Sequence, residues 1–298
     1  IQRMADDNKI GSALEEAYLS LQYAPTYLPM HIQIGELLAK EGMTQEAGSK
    51  FILVARLYQL QGEAAQAIGL LNRVIQIAPM DQSVRAFLIE LLISQNLLED
   101  AIQQSMALAR NYEYLADFTK MRKIYQDTLR LAQRSKAGSD WSLKILYEIA
   151  DIDMQRLDWH QAVRVFEQIR TMEPNDSTAR AKLVDLNFRL REDNVALAEL
   201  DSFVNNLEST GEVDEAITFV QSIIADWEEK AELRRFLAEL YARNKRVSLA
   251  IEQLDMVAST MLDSKNTPGA IKALERIISL NPPNIAEYQA ALGKLRGQ

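Results

Sequence analysis

The chain of 298 residues contains no cysteine and only two histidines, His31 and His160. Without cysteine it can form no disulfide, thiolate nucleophile or thiolate metal site. The two histidines are far apart in the sequence, so we expect structural roles for both and no shared metal ion. The lack of cysteine suits a reducing compartment, and a cytoplasmic protein is expected, although an oxidising compartment is also compatible with it.

Proline and glycine are scarce, with 7 and 11 residues, while 48% of the chain is apolar. No stretch alternates Val, Thr and aromatic residues with polar ones as a half-exposed strand does. Proline and glycine are the residues that interrupt helices, so their scarcity favours long helical segments. The composition therefore predicts an all-α protein without a sheet.

Positive charge is also in deficit, since the net charge is −9 and the pI about 5.0. Nucleic-acid binding by helical repeats would need a stripe of Lys and Arg on successive helices, and the sequence contains none. The longest nearly charge-free runs, such as residues 86–93, are far shorter than the roughly 18 residues of a membrane span. We expect neither a nucleic-acid partner nor a membrane span.

Motifs of catalysis are missing as well. The sequence holds no HExxH, no phosphate-binding loop and no GxGxxG after a strand, so we expect no catalytic, cofactor-binding or metal-binding residue, and no enzyme. Asp151, Asp153 and Asp158 resemble a calcium loop only superficially, because residues i and i+2 of a helix face apart. The tryptophans are not grouped, and we expect them to pack between helices: Trp141, Trp159 and Trp227.

What the chain does contain is a repeated pair of helices, complete in residues 146–176. Its second helix carries Ala162, Phe166 and Ile169 at i, i+4 and i+7, and Pro174 ends it. A small residue followed by an aromatic and a proline resembles the tetratricopeptide repeat family, a helix-turn-helix of 34 residues. The resemblance implies a right-handed superhelical solenoid of antiparallel helix pairs that binds proteins or peptides.

Ten positions open the apolar stripe of a second helix: Ala13, Ala47, Ala67, Ala101, Met121, Ala162, Ala196, Ala216, Ala250 and Ala270. Their spacing alternates between 34 and 20 residues, apart from one step of 41. Because 20 residues leave room for only one more helix, one long helix must belong to two pairs. The sequence therefore predicts units of three helices in 54 residues.

Proline placement gives an independent test of this spacing. Four prolines each lie twelve residues after one of these positions, where a helix should end: Pro25, Pro79, Pro174 and Pro282. In the predicted long helices the same place is taken by other residues: Gln59, Glu113, Glu208 and Leu262. The prolines thus favour the three-helix unit.

The step of 41 residues adjoins the loop-like segment 134–140, RSKAGSD, and a shift of 149 maps the first five positions onto the last five. We therefore predict two halves, residues 1–137 and 138–298, with Ser139 or Asp140 capping the helix after the loop. The pattern predicts about sixteen helices, the last of which is a capping helix. Their expected starts lie near residues 5, 29, 44, 63, 81, 98, 113, 139, 159, 177, 193, 212, 230, 246, 267 and 284.

Five acids stand eleven residues before five of these positions: Glu36, Glu90, Asp151, Asp185 and Glu239. Two residues before each acid stands a predicted core residue, so all five acids share one exposed orientation: Ile34, Leu88, Ile149, Leu183 and Leu237. One interpretation is a solvated face with i, i+4 ion pairs to Lys40, Arg189 and Arg243. In the family this orientation faces the groove, where some members place Asn to hold a peptide carboxylate. A carboxylate here argues against that clamp.

The other interpretation is a peptide-binding groove near the middle of the chain. Its predicted residues lie on two helices: Lys144, Tyr147, Asp151 and Met154 on one, and Ala181, Asp185, Phe188 and Arg189 on the next. Carboxylates beside apolar side chains suit a protein or peptide partner with basic and apolar residues. We expect a non-enzymatic interaction scaffold without a cofactor. The alternative is a regulatory or self-assembling module of a larger protein, since the chain begins inside a helical pattern.

Overall fold

The computed structural model describes residues 9–135 and 138–297, and all regular secondary structure in these ranges is α-helical. The prediction of an all-α fold with about sixteen helices is confirmed for this part of the chain. The helix start predicted near residue 5 lies outside the described residues. The first described helix begins at Ile10.

The chain divides into two compact units, Ile1–Arg156 and Leu157–Gln298. The first contains α1 (Ile10–Leu21), α2 (Leu28–Lys40), α3 (Thr44–Leu60), α4 (Ala64–Ile77), α5 (Gln82–Ser94), α6 (Leu98–Tyr114), α7 (Phe118–Ala132) and α8 (Gly138–Gln155). The second contains α9 (Trp159–Met172), α10 (Ser177–Arg189), α11 (Asp193–Thr210), α12 (Val213–Asp226), α13 (Ala231–Arg243), α14 (Val247–Asp263), α15 (Thr267–Ser279) and α16 (Ile285–Arg296). Within each unit the helices pack mainly against their neighbours in sequence. The halves 1–137 and 138–298 describe a repeat in the sequence and stay a prediction.

The core of each unit is built on the ten positions that the spacing selected. All ten are between 0% and 4% exposed, and Met121 has the highest exposed fraction, 4%. An alanine at a helix crossing lets the backbones approach closely, and larger residues on the same stripe fill the space beside it. Phe51 and Phe166 each follow one of these alanines by four residues, and both are buried.

The long helices and the prolines both follow the prediction. Helices α3, α6 and α14 have 17 residues and α11 has 18, and each continues through the place that the sequence left without proline. The four prolines all lie just beyond the end of a helix: Pro25, Pro79, Pro174 and Pro282. A proline inside a helix would remove a hydrogen bond and clash with the preceding turn, so its position fixes where each pair ends.

The turns that follow the long helices share one backbone motif. After α3, the N–H of Gly62 donates to the carbonyl of Gln59 and that of Glu63 to the carbonyl of Tyr58. Gly62 has a φ of +79°, the left-handed conformation that closes a Schellman turn. Ala116 takes the same conformation after α6, with a φ of 54°. The next helix can therefore start within three residues.

One predicted helix start and one predicted helix cap are wrong. Helix α7 begins at Phe118 and not near residue 113, because α6 continues to Tyr114 and the turn uses Ala116 where a glycine would have marked it. Ser139 and Asp140 lie inside the first turn of α8, which begins at Gly138, so neither occupies the capping position. Asp140 still places a negative charge in that first turn, where the helix dipole favours it.

Polar contacts to proline carbonyls recur along the chain. Arg85 donates from Nη2 to the carbonyl of Pro79 at 3.0 Å, and Arg180 donates from Nε to that of Pro174 at 3.0 Å. His31 Nε2 lies 2.7 Å from the carbonyl oxygen of Pro25. Each contact ties the start of a helix to the turn before it. This contact gives His31 a structural role, as the sequence predicted.

Candidate interaction surfaces

The predicted site residues of α8 face a cleft in the first unit. The cleft has a volume of about 580 Å³ and lies between α6 and α8. Three of the four predicted residues on α8 line it: Lys144, Tyr147 and Asp151. The fourth, Met154, is half-buried and does not line the cleft.

Helical spacing brings these three side chains to one face. They follow one another at i, i+3 and i+7, whereas Ile145, Ile149 and Ile152 on the other face are buried. Helix α6 contributes the opposite wall of the cleft: Gln103, Met106 and Arg110. The lining of the cleft is thus part polar and part apolar on both helices.

Charges of both signs line this cleft. Lys144 lies over the ring of Trp141, with its Nζ 5.1 Å from the centroid. Glu148 accepts a hydrogen bond from the buried Tyr125 hydroxyl at 3.2 Å. Asp151 is exposed and forms no ion pair with any described residue. Its carboxylate is therefore the acid in this cleft that is open to an incoming cation.

The predicted residues of α10 belong to the second unit and form a closed network there. Arg189 Nε donates to Asp185 Oδ2 at 2.8 Å, and Trp227 Nε1 donates to Asp185 Oδ1 at 3.2 Å. Phe188 is only 2% exposed and packs on Trp227 with a centroid distance of 5.3 Å. Ala181, on the same helix, is half-buried. In this network Asp185 is already satisfied, and Arg189 is the exposed member.

Two tryptophans approach Arg189, a contact that the sequence does not predict. The guanidinium carbon lies 5.6 Å from the ring centroid of Trp159 and 6.0 Å from that of Trp227. The prediction that these tryptophans are not grouped is therefore wrong for this pair. One starts α9 and the other follows α12, so no sequence spacing could have revealed the contact.

The five acids share the predicted orientation. None of them is buried, and the residue two positions before each is at most 3% exposed. Among the described residues, only the i, i+4 pair of Asp185 with Arg189 forms as predicted. The acid of α2, Glu36, pairs with Arg73, and that of α13 pairs with an arginine of α15, so the predicted pairs with Lys40 and Arg243 are wrong. Each of these two acids pairs instead with an arginine two helices further along the chain.

The three aspartates that resembled a calcium loop have three separate roles. Asp151 is exposed, Asp153 is bound to Arg122, and Asp158 accepts from the N–H of Gln161 at the start of α9. In the described ranges no group of three or more His, Asp or Glu is placed to hold a metal ion. No described helix is long and apolar enough to cross a membrane.

The family comparison agrees with the repeat pattern. Residues 203–261 match the family model of the tetratricopeptide repeat. Over this stretch the chain is similar to the tetratricopeptide repeat. The resemblance seen in the sequence is confirmed there, and the region extends from within α11 to near the end of α14.

The matched region contains a small residue and aromatic residues, as the family resemblance did, but no proline. Ala216 is fully buried at the start of α12. Phe203 and Phe219 pack edge to face, with centroids 4.7 Å apart and an interplanar angle of 71°. Gly211, with a φ of +85°, makes the tight turn between their helices.

Solved structures similar to this chain include BtubC from P. vanneervenii, which is 15% identical and has a TM-score of 0.36, with 68% of this chain and 90% of that chain covered. The apo form of the quorum sensor NprR from B. thuringiensis is 13% identical and has a TM-score of 0.39, with 94% and 85% covered. These scores are too low to transfer a function. No curated protein matches the sequence.

Proposed function

We propose that the chain is a non-enzymatic scaffold for protein interaction that binds a partner peptide or helix. The observation that carries this proposal is the cleft between α6 and α8, where Lys144, Tyr147 and Asp151 lie side by side. Its volume of about 580 Å³ is in the range of known ligand clefts, about 300–1,000 Å³. A peptide segment is the ligand that suits an open cleft between helices.

The chemistry of the lining defines the partner further. Asp151 offers a carboxylate that no described cation occupies, so a Lys or Arg of the partner would bind there. Met106 and Tyr147 supply apolar surface beside it. Arg110 and Lys144 would bind a carboxylate of the same partner. The partner is therefore an amphipathic segment with at least one basic residue.

The α10 surface of the second unit is proposed as a further contact for a partner. Asp185 and Phe188 hold Arg189 and Trp227 in place, and Ala181 adds only a small side chain to this helix. A partner would contact the exposed Arg189 and the half-buried Trp227. The arginine side chain stacks readily on planar groups and binds carboxylates through two hydrogen bonds.

The test selects random peptides that bind the intact chain from a library displayed on phage. The peptides have about twelve residues, long enough for about three turns of an amphipathic helix. Synthetic copies of the selected peptides are then measured by calorimetry with the wild type, Asp151→Lys and Glu167→Lys. Glu167 is an exposed acid of α9, so its variant changes the net charge equally. We expect Asp151→Lys to weaken binding about tenfold and Glu167→Lys to leave it within about twofold. Equal losses in the two variants would show that only overall charge matters.

A further inference from the structure

A second cleft lies in the first unit, between α5 and α7. It has a volume of about 430 Å³ and an apolar wall that includes Ile89, Ile93 and Ile124. Glu90 faces it from α5 and Asp127 from α7. Two carboxylates thus stand beside three isoleucines in this cleft.

Equivalent positions in other three-helix units hold an ion pair. Glu36 on α2 binds Arg73 on α4 at 2.8 Å. Arg276 on α15 donates from Nε and Nη2 to the two carboxylate oxygens of Glu239 on α13, at 2.7 and 2.6 Å. In both pairs the arginine follows the acid by 37 residues. The repeat thus supplies its own cation to this acid twice.

The same position after Glu90 is occupied by Asp127, so the expected cation is replaced by a second acid. The Glu90 side chain is exposed and forms no hydrogen bond or ion pair with the described residues. Asp185, another of the five acids that precede the repeat positions by eleven residues, accepts hydrogen bonds from Arg189 and Trp227. Glu90 therefore lacks the positively charged partner that three of the five acids, those on α2, α10 and α13, have.

Two arginines also line the cleft, Arg130 and Arg134. Arg130 Nη1 lies 3.1 Å from Asp127 Oδ1, one turn along the same helix, and the two side chains are 77% and 55% exposed. Such an exposed pair is weak and exchanges readily with solvent. It leaves Asp127 available to an incoming cation, and Arg134 contacts no acid in the described part of the chain.

We propose that this second cleft binds a partner segment whose Arg or Lys side chain lies between Glu90 and Asp127. The cation takes the place that an arginine of the chain itself occupies in two other units. A neighbouring aliphatic or aromatic side chain of the partner packs on the wall formed by Ile89, Ile93 and Ile124. Arginine suits the site better than lysine, because its planar guanidinium can bind two carboxylates at once. The chain then has a docking surface beyond the cleft of the proposed function.

The test restores the missing arginine. Asp127→Arg recreates the acid and arginine spacing of Glu239 and Arg276, so Glu90 gains an internal partner and the cleft is blocked. Glu90→Gln removes the charge without filling the cleft. Arg276→Gln is the control, because it changes the equivalent pair in the second unit. The probe is the same library of displayed peptides, selected against the intact chain and measured by fluorescence anisotropy, with circular dichroism melting of each variant.

We expect some selected peptides to carry Arg or Lys next to an apolar residue. Their affinity should fall about tenfold with Asp127→Arg and several-fold with Glu90→Gln, and stay within about twofold with Arg276→Gln. If no selected peptide responds to Asp127→Arg and Glu90→Gln, the inference is overturned. Peptides that respond only to Asp151→Lys bind the α6 and α8 cleft, so the two proposals can fail separately.

Discussion

Arg122 on α7 donates from Nε and Nη2 to the two carboxylate oxygens of Asp153 on α8, at 2.7 and 2.9 Å. The Asp153 side chain is 2% exposed and that of Arg122 20%. This bidentate pair joins the last two helices of the first unit. Because a buried charge needs its partner, the pair is important for the stability of that junction.

Replacement of Asp153 by asparagine should therefore destabilise the first unit. We expect a loss of about 2 kcal/mol, less than for a fully buried pair because Arg122 keeps some contact with water. The matched control is Asp151→Asn, two residues away and exposed, which should change stability by less than about 0.5 kcal/mol. Urea unfolding followed by circular dichroism measures both, and similar losses would contradict the role of the Arg122 contact.

Because of Tyr125, the free energy of unfolding of the chain should decrease at alkaline pH. Burial raises the pKa of the Tyr125 hydroxyl, and the Glu148 carboxylate raises it further. A group whose pKa is higher in the folded state stabilises the protein at lower pH, and this stability is lost as pH rises above the unfolded pKa of about 10. We expect a loss of about 1.4 kcal/mol at about pH 11.

Urea unfolding of the wild type and of Tyr125→Phe between about pH 8 and pH 11, a range set by the tyrosine pKa of about 10, measures this loss. The phenylalanine variant should lack that part of the pH dependence. Tyr23→Phe is the control, since Tyr23 is 91% exposed. Identical pH profiles for all three proteins would contradict the effect of burial on Tyr125.

Two glycines near one turn should respond in opposite ways to alanine. Gly62→Ala should cost about 1 kcal/mol, because a side chain is strained at its φ of +79°. Gly69 lies in the middle of α4, and nothing lies within 4 Å of the place that a Cβ would take. Gly69→Ala should therefore stabilise the protein by up to about 1 kcal/mol through helix propensity. Thermal melting would show the opposite shifts, and equal shifts would refute the turn geometry.

Gly35 has a different reason to be glycine. A Cβ at this position would lie 2.7 Å from the ring of Phe51, which is 2% exposed. Since the buried ring has little room to move, Gly35→Ala should lose about 2 kcal/mol despite the better helix former. A second change, Phe51→Leu, should recover part of the melting temperature in the double variant. No recovery would mean that the ring is not the obstacle.

The repeat pattern was predictable because each pair of helices needs small residues at its crossing and proline at its end. Ala162 and Pro174 show both signals within one pair. The start of α7 was not predictable, since Ala116 makes a left-handed turn that sequence normally assigns to glycine. Helical spacing predicted three local ion pairs, of which only that of Asp185 with Arg189 forms among the described residues. The ion pairs between different helices form only through packing.

The candidate site was predictable only in part, for the same reason. Lys144, Tyr147 and Asp151 share a helix face, which periodicity reveals. That Phe188 is buried depends on Trp227, whose contact with it is set by the packing of α10 and α12. Long-range contacts of this kind leave no periodic signal in the sequence.

The long helices also limit how this chain can change in length. Each of α3, α6, α11 and α14 belongs to two helix pairs, so one inserted residue would turn everything after it by about 100°. Both buried faces would then lose their register. Single-residue insertions should be accepted only in the turns, and a gene encoding this array would gain or lose helices in whole blocks of 54 residues.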